Sequence, residues 1–232
     1  MMKAHPSQSY PLLSALLFFF FVTWSSSGSL LSIWLHQEVG LKPGDTGIIF
    51  SVLSVSALFA QVCYGFIQDK LGLRKNLLWY ITVLLILSGP AYMLFGYLLK
   101  INVLLGSIFG GIYIGLTFNG GIGVLESYTE RVARQSQFEF GKARMWGSLG
   151  WAVATFFAGL LFNINPHLNF AVASCSGLVF FILLARLRVS SAPHAMQEAV
   201  SGGKVTLEDA LRLLTLPRFW ALVFFVIGTC IY

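Results

Sequence analysis

The sequence is poor in charge, cysteine and histidine, and each shortage excludes a class of protein. Charged residues make up 10% of the 232 positions, against about 25% in an ordinary soluble domain. The three cysteines lie in apolar blocks without a Cys-x-x-Cys spacing, and no histidine sits near another histidine or a cysteine. We therefore expect reduced thiols and no metal site, and we exclude a soluble fold, disorder and a disulfide-stapled secreted domain. These residues are Cys63, Cys175, Cys230, His5, His36, His167 and His194.

Apolar residues fill the chain instead, in blocks long enough to cross a membrane. Hydrophobic residues make up 56% of the sequence and aromatic residues 15%, and the mean hydropathy is +0.77. A membrane helix needs about 20 apolar residues. Six blocks meet or approach that length and predict an all-α polytopic membrane protein embedded in lipid: 11–35, 46–67, 76–99, 101–125, 145–162 and 170–187.

The polar stretches between the blocks predict how the chain is organised. The first block exceeds the usual core of a signal peptide, so we predict a membrane span and no cleaved leader. A further block of fourteen residues is still apolar at Tyr232, which predicts an N-terminal fragment of a longer protein. The predicted parts are a cytoplasmic N-terminus (1–10), a six-helix bundle (11–187), a cytoplasmic connector (188–218) and a truncated seventh helix (219–232).

The connector is predicted to contain a short amphipathic helix. Thr206 and Asp209 have the spacing of a capping box. Leucines follow on one side of the same helix, as expected for a surface helix that leads into the next span: Leu207, Leu211 and Leu214.

Lysine and arginine predict the orientation of the spans. The net charge is +6, and alternate loops divide the basic residues thirteen to two, with only Lys42 and Lys100 on the poorer side. Because basic residues accumulate on the cytoplasmic side, the N-terminus is predicted to be cytoplasmic. Membrane topology thus explains the excess of basic residues, and no nucleic-acid partner is required.

An enzyme active site is not indicated. The sequence has no His-Glu-x-x-His and no Gly-x-Ser-x-Gly motif, and residues 201–204 lack the spacing of a phosphate-binding loop. Two classes remain: a transporter, and a truncated membrane protein that regulates or is inactive in transport. Uptake by the chain expressed alone would distinguish them.

The loop between the second and third blocks carries a spaced motif. Glycines that permit a tight turn alternate with one carboxylate and several cations: Gly65, Asp69, Lys70, Gly72, Arg74 and Lys75. With six spans, this spacing resembles the signature loop of the major facilitator superfamily. The resemblance implies the N-terminal six-helix half of such a transporter, in which Asp69 and its basic neighbours latch the cytoplasmic side during alternating access.

The fourth span is rich in glycine and ends in polar residues. Gly106/Gly110 and Gly111/Gly115 form small-xxx-small pairs, which favour close helix packing. Further along, Asn119, Ile122 and Glu126 share one helical face, with Glu126 predicted at the end of the span.

The fifth span opens with a second set on one face, namely Arg144, Ser148 and Trp151. An ion pair in an interfacial loop is one interpretation of Glu126 and Arg144; a binding site is the other, because ionisable residues inside a membrane usually mark a pathway. Arginine offers a planar fork to hydroxyl groups, and tryptophan offers a flat apolar face. This combination suits the polar rim and apolar face of a sugar ring.

The sequence around these residues resembles the lactose permease family of oligosaccharide:proton symporters. The likeness rests on residues 138–151, 33–36, 45–50 and 69–75. It implies that Glu126 and Arg144 hold the sugar, that Trp151 stacks on a galactosyl ring, and that Asn119 lies nearby. It also implies a proton as coupling ion, no cofactor, a bacterial inner membrane location and a missing C-terminal half that carries the coupling residues.

Departures from lactose permease make the substrate an open question. Ser148 replaces a cysteine and Trp146 a phenylalanine, as in the sucrose branch, whereas Trp151 favours galactosides. Ile122 replaces a smaller alanine and is expected to narrow the pocket. We therefore expect a galactoside such as melibiose or lactose, with sucrose or another oligosaccharide as the alternative.

Overall fold

The computed structural model describes residues 6–71, 75–187 and 220–221. The chain divides into two units, residues 1–191 and 192–232. In the second unit only Trp220 and Ala221 are described, and both are helical. The predicted connector (188–218) with its amphipathic helix, Cys230 and nearly all of the predicted seventh helix (219–232) lie outside the described residues, as do residues 1–5.

The first unit is helical, and no strand occurs in its described part. Its helices are α1 (Pro6–Gly28), α2 (Leu31–Gln37), α3 (Pro43–Leu71), α4 (Asn76–Ile86), α5 (Ser88–Ile101), α6 (Val103–Ile114), a π-helical segment (Gly115–Gly120), α7 (Gly121–Ser136), α8 (Phe140–Ile164) and α9 (His167–Arg186).

These helices confirm the predicted membrane spans. Five stretches are long and apolar enough to cross a membrane, and α4 with α5 gives a sixth when that bent pair is counted as one span. Several helices run beyond their apolar blocks. Helix α1 begins at Pro6 and not at residue 11, and α7 continues to Ser136 although its apolar block ends at residue 125.

The third span is broken by a bend of 60° between α4 and α5. Pro90 explains the break, because proline has no N–H to donate and its ring collides with the carbonyl of the residue four positions earlier. Ser88 donates a hydrogen bond of 2.7 Å to the carbonyl of Leu85 at the bend. The backbone N–H of Gly89 donates to Ser174 of α9 at 2.8 Å, so the break is also a contact between spans.

The glycines of the fourth span allow the close helix packing that their spacing predicts, and they do so against two different helices. A Cβ added to Gly110 would lie 2.3 Å from the ring of Phe95 in α5. A Cβ on Gly111 would lie 2.9 Å from Ser56 and Val52 in α3. The π-helical segment follows directly and changes the rotation of the helix before α7 begins, a distortion often found near functional sites.

Helix α1 lies against α8 and α9 and carries the buried aromatic core. Phe20 is fully buried and contacts Phe118 and Phe180 edge-on or tilted. Trp24, one turn further along, stacks on Phe118 with ring planes 11° apart. These rings fix the face of α1 that meets α8, where the candidate site lies.

Candidate functional site

An ion pair joins α7 to α8. The Nε of Arg144 donates a hydrogen bond to Oε1 of Glu126, and each side chain is 33% exposed. Glu126 lies inside α7 and not at the end of a span as predicted, because α7 continues to Ser136. Gln137 then takes a left-handed conformation with φ 57°, which ends the helix and lets α8 begin at Phe140. The structure therefore brings the predicted carboxylate and guanidinium together through a helical hairpin.

The guanidinium of Arg144 has two further neighbours. Its ζ-carbon lies 4.4 Å from the centre of the Phe21 ring in α1, which is the geometry of a cation–π contact. Its NH1 donates to Oγ of Ser148, one turn along α8, at 3.5 Å. Arg144 is thus oriented by a carboxylate, a hydroxyl and an aromatic ring from two other helices and its own.

Trp151 lies on the same side of α8 and is partly buried. Its ring meets Trp24 edge-on at 5.5 Å between centroids and Phe21 edge-on at 6.2 Å. Its carbonyl accepts hydrogen bonds from Ser25 at 3.1 Å and from Thr155 at 2.9 Å. The indole is therefore fixed in position by α1, while part of its surface stays accessible to a ligand.

A cleft of about 350 Å³ lies between α3 and the end of the fourth span. Its lining includes Asn119, Ile122 and Glu126, so the structure brings these three predicted residues together on one wall. The other predicted residues, Arg144, Ser148 and Trp151, lie on α8 outside this lining, and Arg144 is connected to it by the ion pair with Glu126. The remaining lining residues are Gln61, Tyr64, Gly65, Gln68, Gly120, Gly123, Val124 and Ser127.

The residues of the signature loop fall in three places. Gly65 of α3 lines the cleft, and a Cβ there would meet no atom within 4 Å. Asp69 and Lys70 lie in the last turn of α3. The side chains of Asp69 and Lys70, and all of Gly72 and Arg74, lie outside the described residues, so the latch stays a prediction.

Lys75 ties two spans together at the start of α4. Its Nζ donates a hydrogen bond to the carbonyl of Leu187, directly after α9, where a cation is favourable. Burial lowers the pKa of the Lys75 ammonium below its ordinary value. This contact is internal to the first unit and connects the third span to the sixth.

No metal centre forms within the described ranges: they contain no group of three or more His, Cys, Asp or Glu side chains able to hold an ion. Cys63 and Cys175 are free and exposed on the surface of the bundle.

Sequence comparisons place the chain among sugar permeases. It is 40% identical to the sucrose permease of Escherichia coli over 95% of this chain and 52% of that permease. It is 42% identical to the lactose permease of Citrobacter freundii over 86% of this chain and 49% of that permease. The raffinose permease of E. coli is 39% identical over 99% of this chain and 55% of its own length.

The chain spans about half the length of these curated relatives, which fits the predicted six-helix half of a transporter. The relatives are permeases and not enzymes. The sequence model of the family described as LacY proton/sugar symporter matches residues 2–232. With its apolar membrane spans, this chain is therefore a multi-pass membrane protein that belongs to the LacY proton/sugar symporter family.

Proposed function

We propose that the chain is the N-terminal half of a proton-coupled symporter that takes up an oligosaccharide across the bacterial inner membrane, with its N-terminus in the cytoplasm. The observation that carries the proposal is the Glu126–Arg144 pair. Its carboxylate lines the cleft, and its guanidinium lies on the same Phe21 ring that the indole of Trp151 contacts. Each group supplies a different part of sugar recognition. Charged donors and acceptors bind hydroxyl groups strongly, and an aromatic face packs against the C–H face of a pyranose.

The exposure of the ion pair supports a binding role over a purely structural one. Two-thirds of each side chain is covered, yet each remains one-third open to a ligand. A second donor of the Arg144 fork, NH1, contacts a hydroxyl group, that of Ser148. A sugar hydroxyl can replace or join that contact without separating the charges.

The substrate is proposed to be a galactoside disaccharide such as melibiose or lactose. Ile122 lines the cleft with Glu126, and its side chain, larger than alanine, is expected to narrow the cleft and to favour melibiose over lactose. Relatives named sucrose and raffinose permeases share about 40% of the sequence, so sucrose is the alternative substrate. Proton coupling and the matching wall of the cavity are assigned to the C-terminal half.

Uptake in cells that lack sugar permeases tests the proposal. The gene product that contains this chain should accumulate radiolabelled melibiose, and adding the sugar to unbuffered, anaerobic cells should make the medium more alkaline. A second strain expresses the chain ending at Tyr232. Accumulation of neither galactoside nor sucrose by the longer product would reject the proposal and favour a regulatory or inactive protein.

A further inference from the structure

The cleft between α3 and α7 has polar walls that the Glu126–Arg144 pair does not use. Gln61, Gly65 and Gln68 lie at i, i+4 and i+7 on one face of α3. Asn119 and Ser127 face them from the fourth span. Polar side chains between two helices of a membrane protein usually hydrogen-bond across the interface.

Two side chains of the cleft lining, Gln68 and Tyr64, are buried without a hydrogen-bond partner among the residues that the structure describes. Gln68 is 4% exposed and Tyr64 is 5% exposed. Within the described part of the chain, neither amide atom of Gln68 nor the phenolic oxygen of Tyr64 has a hydrogen-bond partner. A buried polar group without a partner is costly, so such groups usually bind water or a ligand. Both residues belong to the lining of the cleft, so a small rotation of either side chain would bring its polar atoms to a ligand there.

The shape of the cleft shows that it is kept open by glycine. A Cβ added to Gly65 or to Gly123 would meet no atom within 4 Å, so both glycines border empty space. The volume of about 350 Å³ falls at the lower end of small-molecule sites. Glu126 lies in the lining, so the cleft borders the carboxylate of the ion pair.

The chemistry of the walls selects a neutral polyhydroxyl ligand. Among the described residues that line the cleft none is cationic, and its one carboxylate, Glu126, is already paired with Arg144. Side-chain amides and hydroxyls both donate and accept hydrogen bonds, as sugar hydroxyls require. An anionic ligand would find no countercharge on these walls.

We propose that this cleft is a second sugar subsite, in which Gln68 and Tyr64 bind the hydroxyl groups of the next ring of the oligosaccharide. The inference rests on the proposed function, because it assumes that Glu126, Arg144 and Trp151 hold the first ring. It assigns discrimination between mono- and oligosaccharides to α3, a helix outside the first-ring site.

Calorimetric titration of the purified gene product containing this chain, with methyl α-galactoside, melibiose and raffinose, tests the subsite. Gln68→Leu should weaken melibiose and raffinose binding about tenfold and leave methyl α-galactoside unchanged. Tyr64→Phe removes only one hydroxyl and should weaken the same two sugars by a smaller factor. Gln37→Leu, at the exposed end of α2, is the matched control and should bind all three sugars normally.

A second pair of variants fills the cleft without removing a polar group. Gly123→Val should reduce melibiose and raffinose affinity and spare the monosaccharide. Gly159→Val is its match, because a Cβ at Gly159 in α8 also meets no atom within 4 Å. In addition, sugar-free Gln68→Leu protein should unfold at the same or a higher temperature, since an unpartnered buried amide has been removed.

The outcomes separate the subsite from the proposed function. Equal losses for all three sugars, or unchanged melibiose affinity in both Gln68→Leu and Gly123→Val, would overturn the subsite. A lower unfolding temperature for Gln68→Leu would also overturn it, because Gln68 would then have a structural partner. If the unaltered protein binds none of these sugars and no sucrose, the proposed function fails, and the subsite fails with it.

Discussion

The guanidinium of Arg144 lies 4.4 Å above the ring of Phe21. This contact joins Arg144, the residue of α8 that is proposed to bind the sugar, to α1. It exists because Gly147 stands opposite: a Cβ there would lie 2.7 Å from the Phe21 ring. Phe21 also meets Trp151 edge-on, so one buried ring positions both the charged and the aromatic part of the site.

Replacing Phe21 with leucine should therefore weaken sugar binding without removing any group that touches the sugar. The cation–π contact is worth about 0.5–2 kcal/mol, so the Kd for melibiose should rise roughly 2- to 30-fold. Titration calorimetry measures the change. Phe19→Leu, two residues away with its ring on Phe18, should leave the Kd unchanged; equal losses in the two variants would reject a positioning role for Phe21.

Arg144→Lys should abolish measurable sugar binding. Lysine keeps the charge but cannot hold Glu126, Ser148 and a sugar hydroxyl with one planar fork. Losing charged hydrogen bonds implies a fall in affinity of at least about 100-fold. The matched control is Arg134→Lys, because Arg134 pairs with Glu130 on the exposed surface of α7, where such pairs matter little. Retained galactoside affinity in Arg144→Lys would show that Arg144 does not bind the sugar.

Trp151→Ala should weaken galactoside affinity by about 1–3 kcal/mol while insertion into the membrane stays normal. Trp151 is partly buried on the same side of α8 as Arg144, and its ring contacts Trp24 of α1. Equilibrium binding and the amount of folded protein in membranes are measured together. Trp146→Ala on the same helix, where Trp146 is 40% exposed, should leave affinity unaltered. An unaltered Kd in Trp151→Ala would assign Trp151 to packing alone.

Ile122→Ala should shift the preference between disaccharides. Ile122 lines the cleft beside Glu126, and a smaller side chain widens it. Contacts of a few methyl groups change discrimination by roughly tenfold, so uptake of lactose relative to melibiose should rise by about that factor. Competition between the two labelled sugars measures the ratio. Ile112→Ala, on the exposed surface of α6, should leave the ratio as it was; a constant ratio in both variants would show that Ile122 does not limit the substrate.

The sequence predicts the spans well because their signal is simple. Each span needs a run of apolar residues of fixed length, and the chain has few charges to interrupt such runs. Asn119, Ile122 and Glu126 lie on one wall of the cleft, as predicted, because all but the first of them belong to α7. The approach of Arg144 to Glu126 follows from the hairpin that Gln137 closes.

Other features depend on contacts between spans and leave little trace in the sequence. The bend at Pro90 has a recognisable cause, but the apolar block runs through it without a break. The π-helical segment arises where the glycine-rich span packs against its neighbours. Phe21 stands in a run of four phenylalanines, and nothing in that run marks the one that meets Arg144. Nothing in the sequence distinguishes Gln68 and Tyr64 from the other residues of α3. Only the structure shows that their buried polar atoms lack hydrogen-bond partners within its described ranges.

A close backbone contact between α1 and α8 predicts a matched pair of stability effects within α8. A Cβ on Gly150 would lie 2.4 Å from the carbonyl oxygen of Phe18. That oxygen belongs to the backbone of α1, so it can move only if the two helices separate. Gly150→Ala should therefore cost about 1–3 kcal/mol of unfolding free energy. Gly159→Ala meets no atom within 4 Å and should be neutral or stabilising by about 0.5–1 kcal/mol, because alanine favours the helix.

Thermal unfolding in detergent, followed by circular dichroism, compares the two alanine variants. Gly150→Ala should also weaken sugar binding, because moving α1 from α8 carries Phe21 away from Arg144 and Trp24 away from Trp151. Gly159→Ala should bind sugar normally. If Gly150→Ala unfolds at the unaltered temperature and binds sugar with the unaltered Kd, α1 does not need to lie this close to α8, and the aromatic support of the site is not set by this glycine.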